Sequence, residues 1–173
     1  MDFIEVSPSE WATEPMRLIA RGRLLLLSRA GERQNGMAVA WGTLGVMWGV
    51  PVIGYAVRPS RHSHRLTEEG SEVSLCALPE ALAGVFSYFG THSGGGEDKF
   101  AATGLHPTLM PCGGMGLEEA ELIVTAQKIY AHATSAEELR DGGLLERWYS
   151  REPFHTLYFA RIERIYLPSR KEK

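Results

Sequence analysis

Short apolar runs, many of them rich in β-branched residues, recur along the chain and predict β-strands. Glycine clusters separate several of these runs and indicate turns or close backbone approaches. The predicted strands cover residues 21–28, 36–41, 51–57, 72–78, 121–134 and 155–167. Six strands of this kind predict a mainly β protein, an antiparallel barrel with short helices inserted between its strands.

The helical signals are shorter than the strand signals. Predicted helices cover residues 7–16, 60–70, 79–90, 96–104 and 135–143. The last of them begins with a capping-box pair, Ser135 and Glu138, and ends at a glycine pair. The elements do not alternate as strand, helix, strand, which argues against a parallel sheet. No repeat or linker interrupts the chain, so residues 1–173 are expected to form one domain.

Composition and charge exclude several classes of function. The 173 residues are 44% hydrophobic and 23% charged, as in an ordinary globular protein. A formal net charge of -3 argues against general nucleic-acid binding, which needs a basic surface. No apolar run approaches the ~20 residues of a membrane span, and the acidic N-terminus does not resemble a signal peptide. The expected location is therefore the cytoplasm, with neither a nucleic acid nor a membrane as partner.

Cysteine and histidine spacing gives no metal site. Cys76 and Cys112 lie far apart, and Cys76 falls in an apolar run that predicts a buried core residue. His62 and His64 would share a face on a strand but diverge on a helix, and no third ligand is evident nearby. His132 and His155 are interpreted as core or surface residues. No catalytic triad can be recognised, so no catalytic residue is predicted.

The stretch AVRPSRHSH, residues 56–64, places two arginines and two serines where an apolar strand runs into a helix. Hydroxyl and guanidinium groups beside a helix N-terminus favour binding of an anion, and phosphate fits best. The predicted phosphate ligands are Arg58, Ser60, Arg61 and Ser63. In the alternative interpretation, Ser60 only caps the helix and the arginines are solvated.

Two further stretches add to this picture. The loop GTHSGGGEDKF, residues 90–100, offers Ser93, Lys99 and exposed backbone N–H groups to an anion, although a plain surface loop is the alternative. It is neither a Walker A motif nor a nucleophile elbow. The run NGMAVAWGTLGVMW, residues 35–48, alternates small residues with larger ones. A flat ligand could lie close to such a strand, although a core strand is the alternative.

Taken together, the three stretches resemble the flavin reductase-like family with the FMN-binding split-barrel fold, in particular its flavoredoxin-like branch. The resemblance runs from about Leu24 to Tyr166 and keeps the same order of segments. It implies a six-stranded antiparallel Greek-key split barrel that forms a homodimer and binds FMN near the dimer interface. Met47 and Trp48 would otherwise form an exposed apolar patch, which also favours a dimer.

The resemblance also assigns candidate FMN-binding residues. It implies that the strand from Asn35 to Trp41 lies beside the isoalloxazine ring, that the turn after residue 57 holds the phosphate, and that the loop closes over the ribityl-phosphate side. The candidates are Asn35, Met37, Ala38, Val39, Ala40, Trp41, Arg58, Pro59, Ser60, Arg61, Ser63, Ser93 and Lys99. The family often has Thr and Ser where this chain has Ala38 and Ala40, so backbone groups must meet the flavin there.

Three classes of function follow. The first is a flavin reductase, an oxidoreductase in which NADH or NADPH supplies electrons through bound FMN. The second is a flavin-containing electron carrier without nicotinamide turnover. The third is a barrel that binds another planar ligand, such as haem, or serves as an interaction module. The sequence contains no selector for the 2′-phosphate of NADPH.

Overall fold

The structure is a computed structural model that describes residues 3–8, 15–20, 23–111 and 113–169. More of these residues lie in β-strands than in helices. The strands are Phe3–Val6 (β1), Leu24–Ala30 (β2), Arg33–Val39 (β3), Gly42–Met47 (β4), Val50–Val57 (β5), Glu72–Ala77 (β6), Pro107–Leu109 (β7), Met115–Leu117 (β8), Leu122–Ala133 (β9) and Thr156–Pro168 (β10). The helices are Pro15–Ala20 (α1), His62–Glu69 (α2), Ala83–Thr91 (α3), Lys99–Thr103 (α4) and Gly142–Tyr149 (α5), with a 3-10 turn at Glu80–Leu82.

The main sheet is antiparallel and follows the order β3-β2-β6-β9-β10-β5-β4, while β1 pairs with the far end of β10. All six predicted strands are present as β2, β3, β5, β6, β9 and β10. The predicted strand number is too low, because β1 and β4 extend the sheet to eight strands and β7 pairs with β8 separately. The sequence of strand β4, GTLGVM, does not form an apolar run, because it contains two glycines and the strand is exposed along most of its length.

Successive side chains of the sheet enter two different cores, because neighbouring residues of a strand point to opposite faces. In β2, Leu24 and Leu26 pack into one core with residues from β3, β5, β6, β9 and β10. Leu25 and Leu27 pack into a second core on the other face, with Phe89 of α3 and other apolar residues. Cys76 is fully buried in this second core, as the sequence predicts, and Cys112 lies outside the described residues.

Helices α2, α3 and α4 confirm three of the predicted helical segments, whereas the predicted helix at 135–143 is wrong. The glycine pair expected to end that helix instead begins α5, which is capped by the side chain of Asp141. Most of the segment predicted at 7–16 lies outside the described residues. Within the part of the chain that the structure describes, no helix is both long and apolar enough to cross a membrane.

Candidate functional site

Strand β3, the turn after β5 and the loop after α3 meet around two adjoining clefts. The wide cleft has a volume of about 200 Å³. Its lining residues are Met37, Ala38, Val39, Ala40, Trp41, Ala56, Arg58, Arg61, Trp148 and His155. The narrow cleft has a volume of about 80 Å³. Its lining residues are Asn35, Met37, Ser60, Arg61, His62, Ser63, Phe89, Thr91, His92, Ser93, Gly94 and Lys99.

The two clefts bring together residues that the sequence places far apart. Met37 and Arg61 line both clefts, so the clefts meet at these two side chains. Of the thirteen candidate residues, only Pro59 lines neither cleft. The strand and turn segments therefore converge as the sequence predicts, and they divide between a wide and a narrow compartment.

One wall of the wide cleft is the end of β3 and the residues just after it, from Met37 to Trp41. Ala38 and Ala40 present only methyl groups, which leaves backbone close to the cleft. Trp148 and His155 also line this cleft, and their rings lie beside the Trp41 ring. The Trp41 and Trp148 centroids are 4.8 Å apart in an edge-to-face arrangement, and the Trp41 and His155 centroids are 4.6 Å apart.

The sequence does not predict Trp148 or His155 as site residues, and it indicates only a core or surface role for His155. The pairing of β5 with β10 places His155 here, because Val57 pairs with Thr156 and so brings His155 close to Arg58. The His155 ring is buried, and its Nδ1 lies 2.9 Å from the Tyr149 hydroxyl. Burial, followed by the positive charges of Arg58 and Arg61, lowers the pKa of His155 to about 4. The imidazole is therefore neutral at physiological pH.

Arg58 lies at the wide cleft and is already engaged with the chain. Its two terminal nitrogens donate to the backbone carbonyls of Pro153 (2.7 Å) and Trp148 (3.0 Å). The Glu152 carboxylate is 3.9 Å away, and the guanidinium carbon is 5.4 Å from the centroid of the Tyr149 ring. Arg58 does not line the narrow cleft, in which the other predicted phosphate ligands lie.

The narrow cleft is formed where α2 begins. The helix starts at His62, two residues later than predicted, and its N-cap residue Arg61 makes no side-chain cap. Arg61 instead donates from one terminal nitrogen to the carbonyl of Gly90, 2.9 Å away. Ser63 is buried and its hydroxyl accepts a hydrogen bond of 2.8 Å from the Asn35 amide. The first turn of α2 also offers backbone N–H groups that have no partner within the helix.

Lys99 brings a second positive charge to the narrow cleft. Its side chain is only 3% exposed, and its ammonium donates to the carbonyls of Gly36 (2.7 Å) and His92 (3.2 Å). Burial, followed by the nearby Arg61 charge, lowers the pKa of Lys99 to about 8, while Glu97 acts in the opposite direction. The Asp98 side chain caps α4 and thereby fixes the segment that carries Lys99.

The glycine-rich loop packs closely against the floor of the narrow cleft. A Cβ added to Gly94 would lie 2.7 Å from Cγ of Asn35, so only glycine fits there without displacement. The Ser93 hydroxyl accepts a hydrogen bond from the backbone of Gly95. Of the two histidines in the HxH pair, His62 lines this cleft, whereas Nε2 of His64 faces the Thr156 hydroxyl at 2.9 Å. The two side chains diverge, as expected on a helix.

Comparison with known proteins identifies the family. Residues 16–173 match the family described as "Flavin reductase like domain". The chain belongs to this family. The match covers both clefts and nearly all of the described strands. No protein of the curated set matches the sequence.

Solved structures share the fold at low sequence identity. Flavoredoxin of Desulfovibrio vulgaris (Miyazaki F) is similar with a TM-score of 0.66 and 20% identity, over 84% of this chain and 69% of that chain. An FMN-binding protein from Thermus thermophilus, with bound p-hydroxybenzaldehyde, is similar with a TM-score of 0.64 and 22% identity. That match covers 82% of this chain and 69% of the other chain. An NADH:FAD oxidoreductase of Streptomyces globisporus, in complex with NAD and FAD fragments, is similar with a TM-score of 0.63 and 13% identity. That match covers 87% of this chain and 78% of the other chain. These likenesses confirm the predicted split-barrel fold.

Proposed function

We propose that this protein is an FMN-binding oxidoreductase, a flavin reductase that takes electrons from NADH or NADPH. The observation that carries the proposal is the pair of adjoining clefts, one lined by aromatic rings and by small residues of β3, the other smaller and cationic. FMN has the same division into a planar ring and a phosphate. Membership of the flavin reductase like family agrees with this assignment.

The chemistry of the narrow cleft suits a phosphate. Arg61 and Lys99 provide positive charge, and Ser60 and Ser63 provide hydroxyl donors. The N-terminal turn of α2 adds backbone N–H groups and the positive end of the helix dipole. Lys99 is buried and its ammonium donates to the carbonyls of Gly36 and His92, which carry no formal charge. An anion in the cleft would balance the charge of Lys99. In this proposal Arg61 is the principal phosphate ligand, and Ser93 closes the cleft from the loop side.

The wide cleft suits the isoalloxazine ring. The backbone from Met37 to Ala40 would hydrogen-bond the ring edge, since Ala38 and Ala40 have no polar side chains. Trp41 and Trp148 supply aromatic surface to the cleft. When bound, FMN supplies the hydride-accepting chemistry, and the residues of the cleft bind and orient its ring. His155 is neutral and hydrogen-bonded to Tyr149, so it contributes a polar surface without a charge.

We further propose that the protein is a homodimer, associated through an exposed apolar patch formed by Val46, Met47, Trp48 and Tyr130. Val46 is 70% exposed and Trp48 is 62% exposed. The Trp48 ring lies 5.7 Å from Tyr130 and 6.0 Å from Phe159, centroid to centroid. Trp48 has a φ of 51°, a left-handed conformation that non-glycine residues rarely adopt. A hairpin that holds a tryptophan outward in this way is suited to packing against a second copy.

The oligomer is tested by light scattering of the wild type and of Met47→Lys. The wild type is expected to have twice the chain mass of 19.1 kDa. The lysine variant is expected to be shifted toward monomer, because a charge would be buried in the interface. A wild type that stays monomeric at all concentrations would contradict the dimer.

Anaerobic stopped-flow spectroscopy tests the reductase activity. Protein loaded with FMN is mixed with NADH or with NADPH, and the flavin absorption band is followed. At least one nucleotide is expected to bleach the band. Bleaching by dithionite but by neither nucleotide would make the protein a flavin electron carrier, and absence of flavin binding would leave the class that binds another ligand.

A further inference from the structure

The sequence predicts Arg58 as a phosphate ligand, but in the structure Arg58 contacts a distant segment of the chain. Both terminal nitrogens of its guanidinium donate to carbonyl oxygens, of Trp148 and of Pro153. The Glu152 carboxylate and the Tyr149 ring complete its surroundings. All four partners belong to one stretch of chain, residues 148–153, which lies about 90 residues further along the sequence.

Besides Arg58, the stretch contacts the residue just before β10, because the Tyr149 hydroxyl lies 2.9 Å from Nδ1 of His155. None of the residues of α5 is buried, and the Trp148 side chain is 37% exposed. Its ring nevertheless lies edge-to-face against Trp41, and Arg147 stacks on it with the guanidinium carbon 5.1 Å from the ring centroid. A helix without a fully buried residue gains little from packing, so polar contacts such as those of Arg58 contribute to holding it in place.

We propose that Arg58 is a positioning residue that fastens the 148–153 stretch to the end of β5, so that Trp148 closes the wide cleft against Trp41. The assignment of the flavin ring to the wide cleft rests on the proposed function, whereas the attachment itself does not. In this arrangement Arg58 affects the ring end of the ligand and leaves the phosphate to Arg61.

The two roles of Arg58 predict different ligand selectivity. A phosphate ligand would favour FMN over riboflavin, which has the same ring without the phosphate. A residue that positions Trp148 acts on the ring, which both ligands share. Arg58→Ala is therefore expected to weaken the binding of FMN and of riboflavin by the same factor, on the order of tenfold, because both flavins lose the same contact between their ring and Trp148. Arg61→Ala is expected to weaken FMN far more than riboflavin.

A readout that needs no flavin tests the attachment directly. Two indole rings held this close couple their electronic transitions and give a distinctive band in the far-ultraviolet circular dichroism spectrum. The band is expected in the wild type and absent in Trp148→Phe, which assigns it to the Trp41–Trp148 pair. Arg58→Ala is expected to lose the band while the thermal unfolding transition stays cooperative. If Arg58→Ala does not fold, Arg58→Gln replaces it in this test, because glutamine is closer to arginine in volume than alanine is.

Loss of the indole band in the Arg58 variants, with equal weakening of both flavins, would support the proposal. A retained band, or a loss of affinity confined to FMN, would overturn the proposal and favour Arg58 as a phosphate ligand. A wild type without the band would overturn it as well. If neither flavin binds the wild type, the proposed function fails, and the band in the Arg58 variants alone decides the positioning role.

Discussion

Replacing Gly94 by alanine probes the contact between the glycine-rich loop and the narrow cleft. The added methyl group would lie 2.7 Å from Cγ and 3.0 Å from Nδ2 of Asn35, with the amide oxygen nearer still. Asn35 cannot turn aside freely, because it is buried and its amide donates to the Ser63 hydroxyl at 2.8 Å. Displacing the amide leaves a buried polar group without its partner, at a cost of about 1–3 kcal/mol.

Gly96→Ala is the matched control in the same loop. A Cβ at Gly96 meets no atom within 4 Å, so this variant should have the stability of the wild type. We expect Gly94→Ala to lower the free energy of unfolding by about 1–3 kcal/mol, or the melting temperature by about 2–4 °C per kcal/mol. Urea and thermal unfolding of both variants measure the difference. Equal stability of the two variants would refute the packing of the loop on Asn35.

Three further predictions concern stability and pH. Asp98→Ala should lower the free energy of unfolding by about 1 kcal/mol, because the α4 cap is lost. Asp98→Asn should retain most of the stability of the wild type, because asparagine also caps helices. Equal losses of stability in the two variants would contradict the capping role. FMN affinity should fall as the pH rises above about 8, because Lys99 then loses its charge. Titrations with Lys99→Met should lack that fall, and a persisting fall would contradict the assignment to Lys99. The free energy of unfolding should decrease as the pH falls from about 6.5 toward 4, because only the unfolded chain then protonates His155. Denaturant titrations of His155→Phe should show a shallower decrease, and an unchanged slope would contradict this origin.

The strands that cross the core were predictable, and the exposed ones were not. β2 and the first half of β9 are buried on both faces, so their apolar sequences stand out. β4 is exposed and rich in glycine, and it is held by its tight hairpin turn with β5 at Trp48 and Gly49, both with positive φ. Its strand character comes from pairing with β5 and leaves no apolar pattern to recognise.

The error at α5 has a local cause. The Ser135–Glu138 signal is real, since the Ser135 backbone donates to the Glu138 carboxylate at 2.8 Å. The same bond closes a turn here, and the helix begins only after Asp141. A capping pattern therefore records a local hydrogen bond and does not by itself determine that a helix follows.

The narrow cleft was easier to predict than the wide one. Its serine, arginine and lysine residues occupy two short stretches whose chemistry is visible in the sequence. Trp148 and His155 reach the wide cleft only through the register of β5 against β10 and through the contacts of Arg58. No local pattern marks them, because the pairing that brings them there joins residues about 100 positions apart.

Equilibrium titration of the apoprotein with FMN and with riboflavin tests the central claim most directly. Flavin fluorescence and the visible absorption spectrum are recorded for the wild type and for Arg61→Ala. FMN is expected to bind with quenched fluorescence and more tightly than riboflavin, and the Arg61 variant should lose roughly 10- to 150-fold in FMN affinity with little change for riboflavin. Failure of the wild type to bind FMN at tens of micromolar, or equal losses of both flavins in the variant, would contradict the account.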